Sequence, residues 1–266
     1  MDTIPIAKIG ETQKIDIEQS RGIVLHDSYA RVCSVYKPTV SRIGDTSPHR
    51  IAKLFGGRWQ DYNHHFVVQA SGCPLGCNYC YVEESSPSKN FTAQGLVDLF
   101  IQFRSAALDC FRATVNVFHL MGGDPALYCS FWPILRYELD QRGCCKVILL
   151  SNTVLVESAV KGVQPWKYLD IHNFVLSGCL KGVNREDFIR NTGKDLYHVA
   201  VSELKHYIRS KNFYLTLVGQ DKSLDWNGLY ELIPKERIDF LKVVEYAVVK
   251  QRKSSGGCAA TAEVPD

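Results

Sequence analysis

Cys73-Pro74-Leu75-Gly76-Cys77-Asn78-Tyr79-Cys80 sets three thiols at spacings of four and three in a glycine-containing turn, directly after the apolar run His65 to Ala70. Three thiolates can hold three irons of a four-iron, four-sulfur cluster and leave the fourth iron without a protein ligand. An open metal position is a reaction site, as in catalytic zinc centres, where three protein ligands leave room for a small molecule. The same residues also admit a structural zinc ion, or cysteines that only pack. Zinc needs a fourth ligand. The nearest candidates, His64 and His65, lie back on the preceding run, and the remaining cysteines are single or adjacent, as at Cys144 and Cys145.

Outward from this loop, apolar runs with strand character alternate with helical periodicity. The strand candidates are His65 to Ala70, Val115 to Met121, Lys146 to Ser151, His172 to Leu180, Phe213 to Val218 and Phe240 to Val248. Alternation of this kind predicts a parallel sheet with right-handed crossovers. Thr92 is placed to cap a helix carrying Leu96, Leu99, Phe100, Phe103 and Ala107 on one face. Phe131 to Arg142 ends at Gly143, and Leu196 to Ser210 turns Val199, Ala200, Leu204, Tyr207 and Ile208 inward. Residues 1–60 mix short β-like runs, Gly22 to His26 and Val32 to Tyr36, with turn formers, and read as a β-rich cap or extension. The small, polar stretch 251–266 reads as a flexible tail.

CxxxCxxC with Tyr79 before its last cysteine resembles the signature loop of the radical S-adenosylmethionine (SAM) enzymes. Met121-Gly122-Gly123-Asp124-Pro125, at the end of the second strand candidate, resembles that family's GGE/GGD motif. Alone it is an ordinary turn; one βα unit after the cysteine loop, the joint pattern carries weight. The resemblance implies an α/β fold, a partial (β/α)6 TIM-type barrel over residues 61–250, with chemistry at the C-terminal ends of the strands. It implies Cys73, Cys77 and Cys80 as ligands of a [4Fe-4S] cluster whose open iron binds S-adenosyl-L-methionine. Tyr79 would contact the adenine. Gly122, Gly123 and Asp124 would meet the ammonium, and Ser151 and Asn152 the carboxylate or ribose. Lys181-Gly182 with Glu186 to Gly193 resembles a segment of the pyruvate formate-lyase activating enzyme group, which would bring Lys181 to the SAM carboxylate.

The resemblance further implies an enzyme that takes an electron from a donor such as flavodoxin or ferredoxin, cleaves SAM and abstracts hydrogen from a small metabolite or peptide. The alternatives are an activase acting on a glycyl-radical protein partner and a non-catalytic structural metal-binding module. His119, two residues before Met121, reads as a core histidine, with a place in the barrel interior as its other reading.

Composition narrows the setting. Thirty-one Lys and Arg against 28 Asp and Glu give a formal net charge of +3, which leaves nucleic acid unsupported as a partner. Ten cysteines in 266 residues fall well short of the roughly 8–10% of a disulfide scaffold. No basic stretch with an apolar run opens the chain, and no run approaches the ~20 apolar residues of a membrane span. A reducing cytoplasm is the expected compartment.

Overall fold

The structure is a computed structural model, and it describes residues 2–10, 24–35, 47–80, 82, 87–220, 226–234 and 241–245 of the chain. Along it run the strands β1 (Thr3–Ala7), β2 (Val24–His26), β3 (Ala30–Ser34), β4 (His64–Gln69) and β5 (Ser88–Thr92). They are followed by β6 (Val117–Met121), β7 (Ile148–Thr153), β8 (Phe174–Leu180), β9 (Phe213–Gln220) and β10 (Leu241–Glu245). The helices are α1 (Ser47–Phe55), α2 (Ala93–Phe111), α3 (Trp132–Gln141), α4 (Arg185–Thr192), α5 (Tyr197–Tyr207) and α6 (Trp226–Leu232).

An eight-stranded sheet runs in the order β10-β9-β8-β7-β6-β4-β3-β2. From β4 to β10 the pairings are parallel, and these strands coincide with the six expected from the alternating pattern. Two antiparallel strands, β3 and β2, extend the sheet beyond β4, and β1 pairs separately with β5. Part of the first 60 residues thus continues the sheet. Residues 36–46, part of the β-like run to Tyr36, and the tail 251–266 lie outside the described residues. Among the described residues no helix is long and apolar enough to cross a membrane.

The strands have two differently covered faces. Phe66, Phe118, Leu149, Phe174, Leu176 and Phe213 belong to the large core with Leu96, Phe100, Leu135 and Leu204 of the surrounding helices. Val117, Ile148, Leu150, Val175 and Tyr214 alternate with them and form a second, smaller core around Ile51 of α1. Four neighbouring strands span about 14 Å at the usual inter-strand spacing. One small cluster can gather residues from all four only on a sheet that curls, and α1 fills the concave side. The Tyr214 hydroxyl and the Ser47 hydroxyl of α1 lie 3.1 Å apart there. Periodicity did not reveal α1, which lies among turn formers.

Local chemistry fixes the helices that set the loops. Gly95 N–H donates to Thr92 Oγ1 at 3.1 Å, capping α2 as expected. Asn184 caps α4 by accepting from Asp187 N–H at 2.9 Å, and Gly193 closes it with φ 67. α5 buries Ala200, Leu204 and Tyr207, and with them Glu203, which is 2% exposed.

Burial, and next the Glu157 charge, push the Glu203 carboxyl from 4.5 up to about 7, against hydrogen bonds from Ser158 and Tyr207. The folded chain therefore holds a proton that the unfolded chain releases. Stability falls as pH rises from the unfolded pKa toward 7, by at most ~1.4 kcal/mol per pH unit, and levels off above. From about pH 5 to about pH 8, urea unfolding is expected to show a smaller fall in stability in Glu203→Gln than in the wild type; parallel curves would contradict it.

Candidate functional site

The cysteine loop leaves the C-terminal end of β4 and is gripped from two sides. On the first, Asp124 N–H donates to Gly72 O at 2.7 Å, and Ala70 N–H donates to Met121 O at 2.8 Å. This contact is possible only without a side chain. Gly122 and Gly123 adopt φ values of 69 and 31. A Cβ on Gly123 would lie 2.3 Å from Gly72 O and 2.5 Å from Ala70 O. On the second side, the C-terminal end of α4 accepts from the loop. Gly76 N–H donates to Thr192 O at 3.3 Å and Asn78 N–H to Asn191 O at 3.2 Å. The Asn191 amide then donates to Lys181 O at 2.6 Å, tying the end of β8 to the same helix terminus.

The three thiols are free, with Cys77 buried, Cys80 half-buried and Cys73 exposed on its open side. Each is close enough to feel the others. Burial pushes the Cys73 thiol up to about 11; the Leu75 N–H and Lys181 act the other way, while Cys77 and Cys80 add to the rise. Burial also raises Cys77, opposed by Lys181 and a hydrogen bond from Tyr79 and reinforced by Cys80 and Cys179. Lys181 Nζ stands 5.4 Å from the centre of the Tyr79 ring. Burial alone would lower the Lys181 ammonium, yet Cys179, Tyr79, Cys77 and Cys73 raise it above the ordinary lysine value. A resident cation therefore faces the thiols, and the Leu75 amide and the Tyr79 phenol act on the same sulfurs in the same sense. This donor set suits a thiolate-bound iron–sulfur cluster, whose charge is tuned by such hydrogen bonds.

Beyond the loop, the concave face of the sheet is polar. His119 pairs in register with Leu150 and so shares the α1-facing side. Its Nδ1 lies 3.2 Å from His65 Nδ1, and its Nε2 lies 3.2 Å from Asn152 Oδ1. The other nitrogen of His65 meets Tyr62 O at 2.9 Å. Ser177 of β8 and Thr216 of β9 pair their hydroxyls at 3.1 Å on this side. Asn152 therefore stands where a ligand in the barrel could meet it. Ser151 does not. It lies on the face of Leu149, toward the helices, is 0% exposed, and its Oγ has no hydrogen-bond partner among the described residues.

Asp124 also departs from expectation. Its backbone holds the cysteine loop, but its carboxyl is 0% exposed and faces the layer between sheet and helices. Oδ1 accepts from Ala126 N–H at 3.2 Å, starting the helical turn Pro125–Phe131. The other oxygen has no donor among the described residues, and Glu157 is a neighbouring group. A ligand ammonium cannot reach a carboxyl closed off in this way. Burial and the Glu157 charge push Asp124 well above the carboxylate range. Sequence reasoning missed Glu157, although one carboxylate in Val154-Leu155-Val156-Glu157-Ser158-Ala159-Val160 is a usable signal, because an acid within an apolar run needs a partner.

No family sequence profile matches the chain, and no curated protein matches it by sequence. Solved structures do. A TYW1 with a lysine–pyruvate adduct bound superposes with a TM-score of 0.53 at 14% identity, over 91% of this chain and 83% of that one. Streptococcus suis SuiB bound to its precursor peptide SuiA gives 0.53 at 12% identity, over 91% of this chain and 54% of SuiB. The enzyme anSMEcpe with bound AdoMet and a Cp18Cys peptide gives 0.51 at 17% identity, over 71% of this chain and 52% of that one. The chain thus spans most of TYW1 but only about half of the two peptide-bound structures. With its six parallel strands, the cysteine loop after the first of them and the glycine turn after the second, the chain has the partial-barrel fold of the radical SAM enzymes.

Proposed function

We propose that the chain is a radical SAM enzyme in which Cys73, Cys77 and Cys80 hold a [4Fe-4S] cluster, and that it abstracts hydrogen from a polar small molecule or a peptide. The observation that carries this reading is the meeting of three thiols within electrostatic reach of one another, the Lys181 ammonium and a side-chain-free glycine turn at the end of the first parallel strand. Bound there, the cluster and SAM supply one-electron cleavage of a sulfonium, chemistry that no side chain provides.

The chain's own residues do the positioning. Lys181 offsets the negative charge of the thiolates and is in place to meet a ligand carboxylate, while the Tyr79 ring beside it offers a flat apolar surface to a base. With the Asp124 carboxyl turned away, a ligand ammonium at the glycine turn is met by backbone carbonyls. Asn152, His119, Ser177 and Thr216 line the interior with hydrogen-bonding groups, which favours a substrate with polar groups of its own. Peptides in two of the superposed structures support a peptide as one candidate class. An external reductant such as flavodoxin or ferredoxin fits the exposed side of Cys73.

Anaerobic reconstitution is expected to give a brown protein with about four irons per chain and 5'-deoxyadenosine formed only with dithionite and SAM. A colourless protein with one zinc and no affinity for SAM would overturn the reading in favour of a structural metal module. Deuterium carried into 5'-deoxyadenosine from small-molecule or peptide fractions supports the proposed substrate class, and label arriving only from a large protein would assign an activase instead. Cys77→Ala is expected to lose the iron. Gly123→Ala, which forces a Cβ against two carbonyl oxygens at a left-handed φ, should cost about 2 kcal/mol or more in chemical unfolding and lower iron retention; wild-type stability and iron content would show that the turn tolerates a side chain.

A further inference from the structure

Two buried carboxyls meet outside the barrel with one oxygen each left over. Glu157 Oε1 is fully served, accepting from the Thr153 hydroxyl, from Val154 N–H at 2.9 Å and from Leu155 N–H at 3.2 Å. Leu155 adopts φ 65 to aim that N–H, a conformation a branched side chain rarely takes. Asp124 Oδ1 is served by Ala126 N–H. That leaves Asp124 Oδ2 and Glu157 Oε2, both buried and both without a donor among the described residues. The two carboxyls stand within hydrogen-bonding reach of each other. Around them lie Cys73, Tyr128, Cys129, Glu203 and Tyr207, each neutral or negative when it titrates.

Two bare carboxylate oxygens facing each other in a dry interior are repelled and unsatisfied at once. One proton between them removes both faults. Its location is set by the donor count: three donors on Glu157 Oε1 stabilise a charge there, whereas Asp124 has a single backbone donor. We infer that Asp124 is held as the neutral acid, donating Oδ2–H to Glu157 Oε2, and that this shared proton clamps the glycine turn after β6 to the loop after β7. Asp124 is then a positioning residue. Its N–H fixes Gly72, one residue before the first thiol, and its carboxyl anchors that N–H to Glu157. The inference goes beyond the proposed function.

The test exploits the fact that an amide can replace the proton once but not twice. In Asp124→Asn, Oδ1 still accepts from Ala126 and the amide donates to Glu157. In Glu157→Gln, Oε1 keeps its three donors and the amide donates to an ionised Asp124. In the double variant two amide groups face each other as donors. Each single change is expected to alter the unfolding equilibrium constant of the full chain less than about threefold, whereas the pair together exceeds the product of the singles by about tenfold or more. Asp124→Ala is not rescued in this way and should unfold more readily than Asp124→Asn. With Glu203→Gln as the common background, which removes the other buried acid that holds a proton near neutral pH, the infrared band of a protonated carboxyl should be present with Asp124 and Glu157 intact and absent from both single amide variants. A double variant more stable than wild type would show two ionised carboxylates repelling each other and overturn the inference, as would a protonated-carboxyl band that survives in Asp124→Asn and Glu157→Gln. Additive costs would overturn it too.

Discussion

The site depends on a contact that no side chain can occupy. Gly123 presses its Cα against the carbonyl oxygens of Ala70 and Gly72, at distances that a Cβ would reduce to 2.3–2.5 Å, and Asp124 N–H closes the approach with a bond to Gly72 O. Strand β6 thereby dictates the path of the chain leaving β4. The thiols come with it, since Cys73 is the residue directly after Gly72, and the far end of their loop is caught by the carbonyls at the end of α4. Two covalently remote turns thus define one small volume, and each uses backbone groups whose direction changes little with side-chain motion. Rigid placement of this kind is what a reactive centre needs, because misplacement of reacting groups by about 1 Å can cost 10²-fold in rate.

Period-two alternation then divides the polar residues of the strands into two sets with different roles. On the concave side, His65, His119 and Asn152 form one chain of hydrogen bonds and Ser177 and Thr216 another, with Asn152 the partly exposed member. On the helix-covered side, Ser151, Thr153, Asp124 and Glu157 are sealed at 0% exposure. Neighbouring residues such as Ser151 and Asn152 fall on opposite sides of this boundary. Burying polar groups costs free energy unless each finds a partner, so the sealed set has to serve itself, through the Thr153 hydroxyl, the cap on Ala126 and the turned amide of Leu155.

How much the sequence discloses depends on the range of the interactions involved. Cysteine spacing, strand alternation, the Thr92 cap and the glycine pair are local patterns, and all six parallel strands and the position of the cysteine loop could be read from them. The parity of Ser151 and Asn152 could not, because it is set by the register of β7 against β6, where Leu120 meets Ser151 and His119 meets Leu150. The direction of the Asp124 carboxyl depends on two consecutive positive φ values, which composition allows without requiring. Helix α1 is long-range in the same sense. Its Ile51 is buried only because four strands from later in the chain curl around it.

Charge ties these parts together. Three thiolates within one loop repel one another, and the Lys181 ammonium, the Leu75 amide and the Tyr79 hydroxyl act against that strain. Behind the loop, the electrostatic field of Asp124 reaches Cys73. An ionised carboxylate at that point would oppose every thiolate that Lys181 supports, in a medium where screening is weak. A neutral Asp124 spares the loop this repulsion while its N–H goes on holding Gly72, and the remaining negative charge sits on Glu157, where three donors receive it. The acid in the glycine turn can therefore act as a structural proton carrier on the closed side of the sheet, and the cation on the open side is left to the thiols and whatever binds beside them.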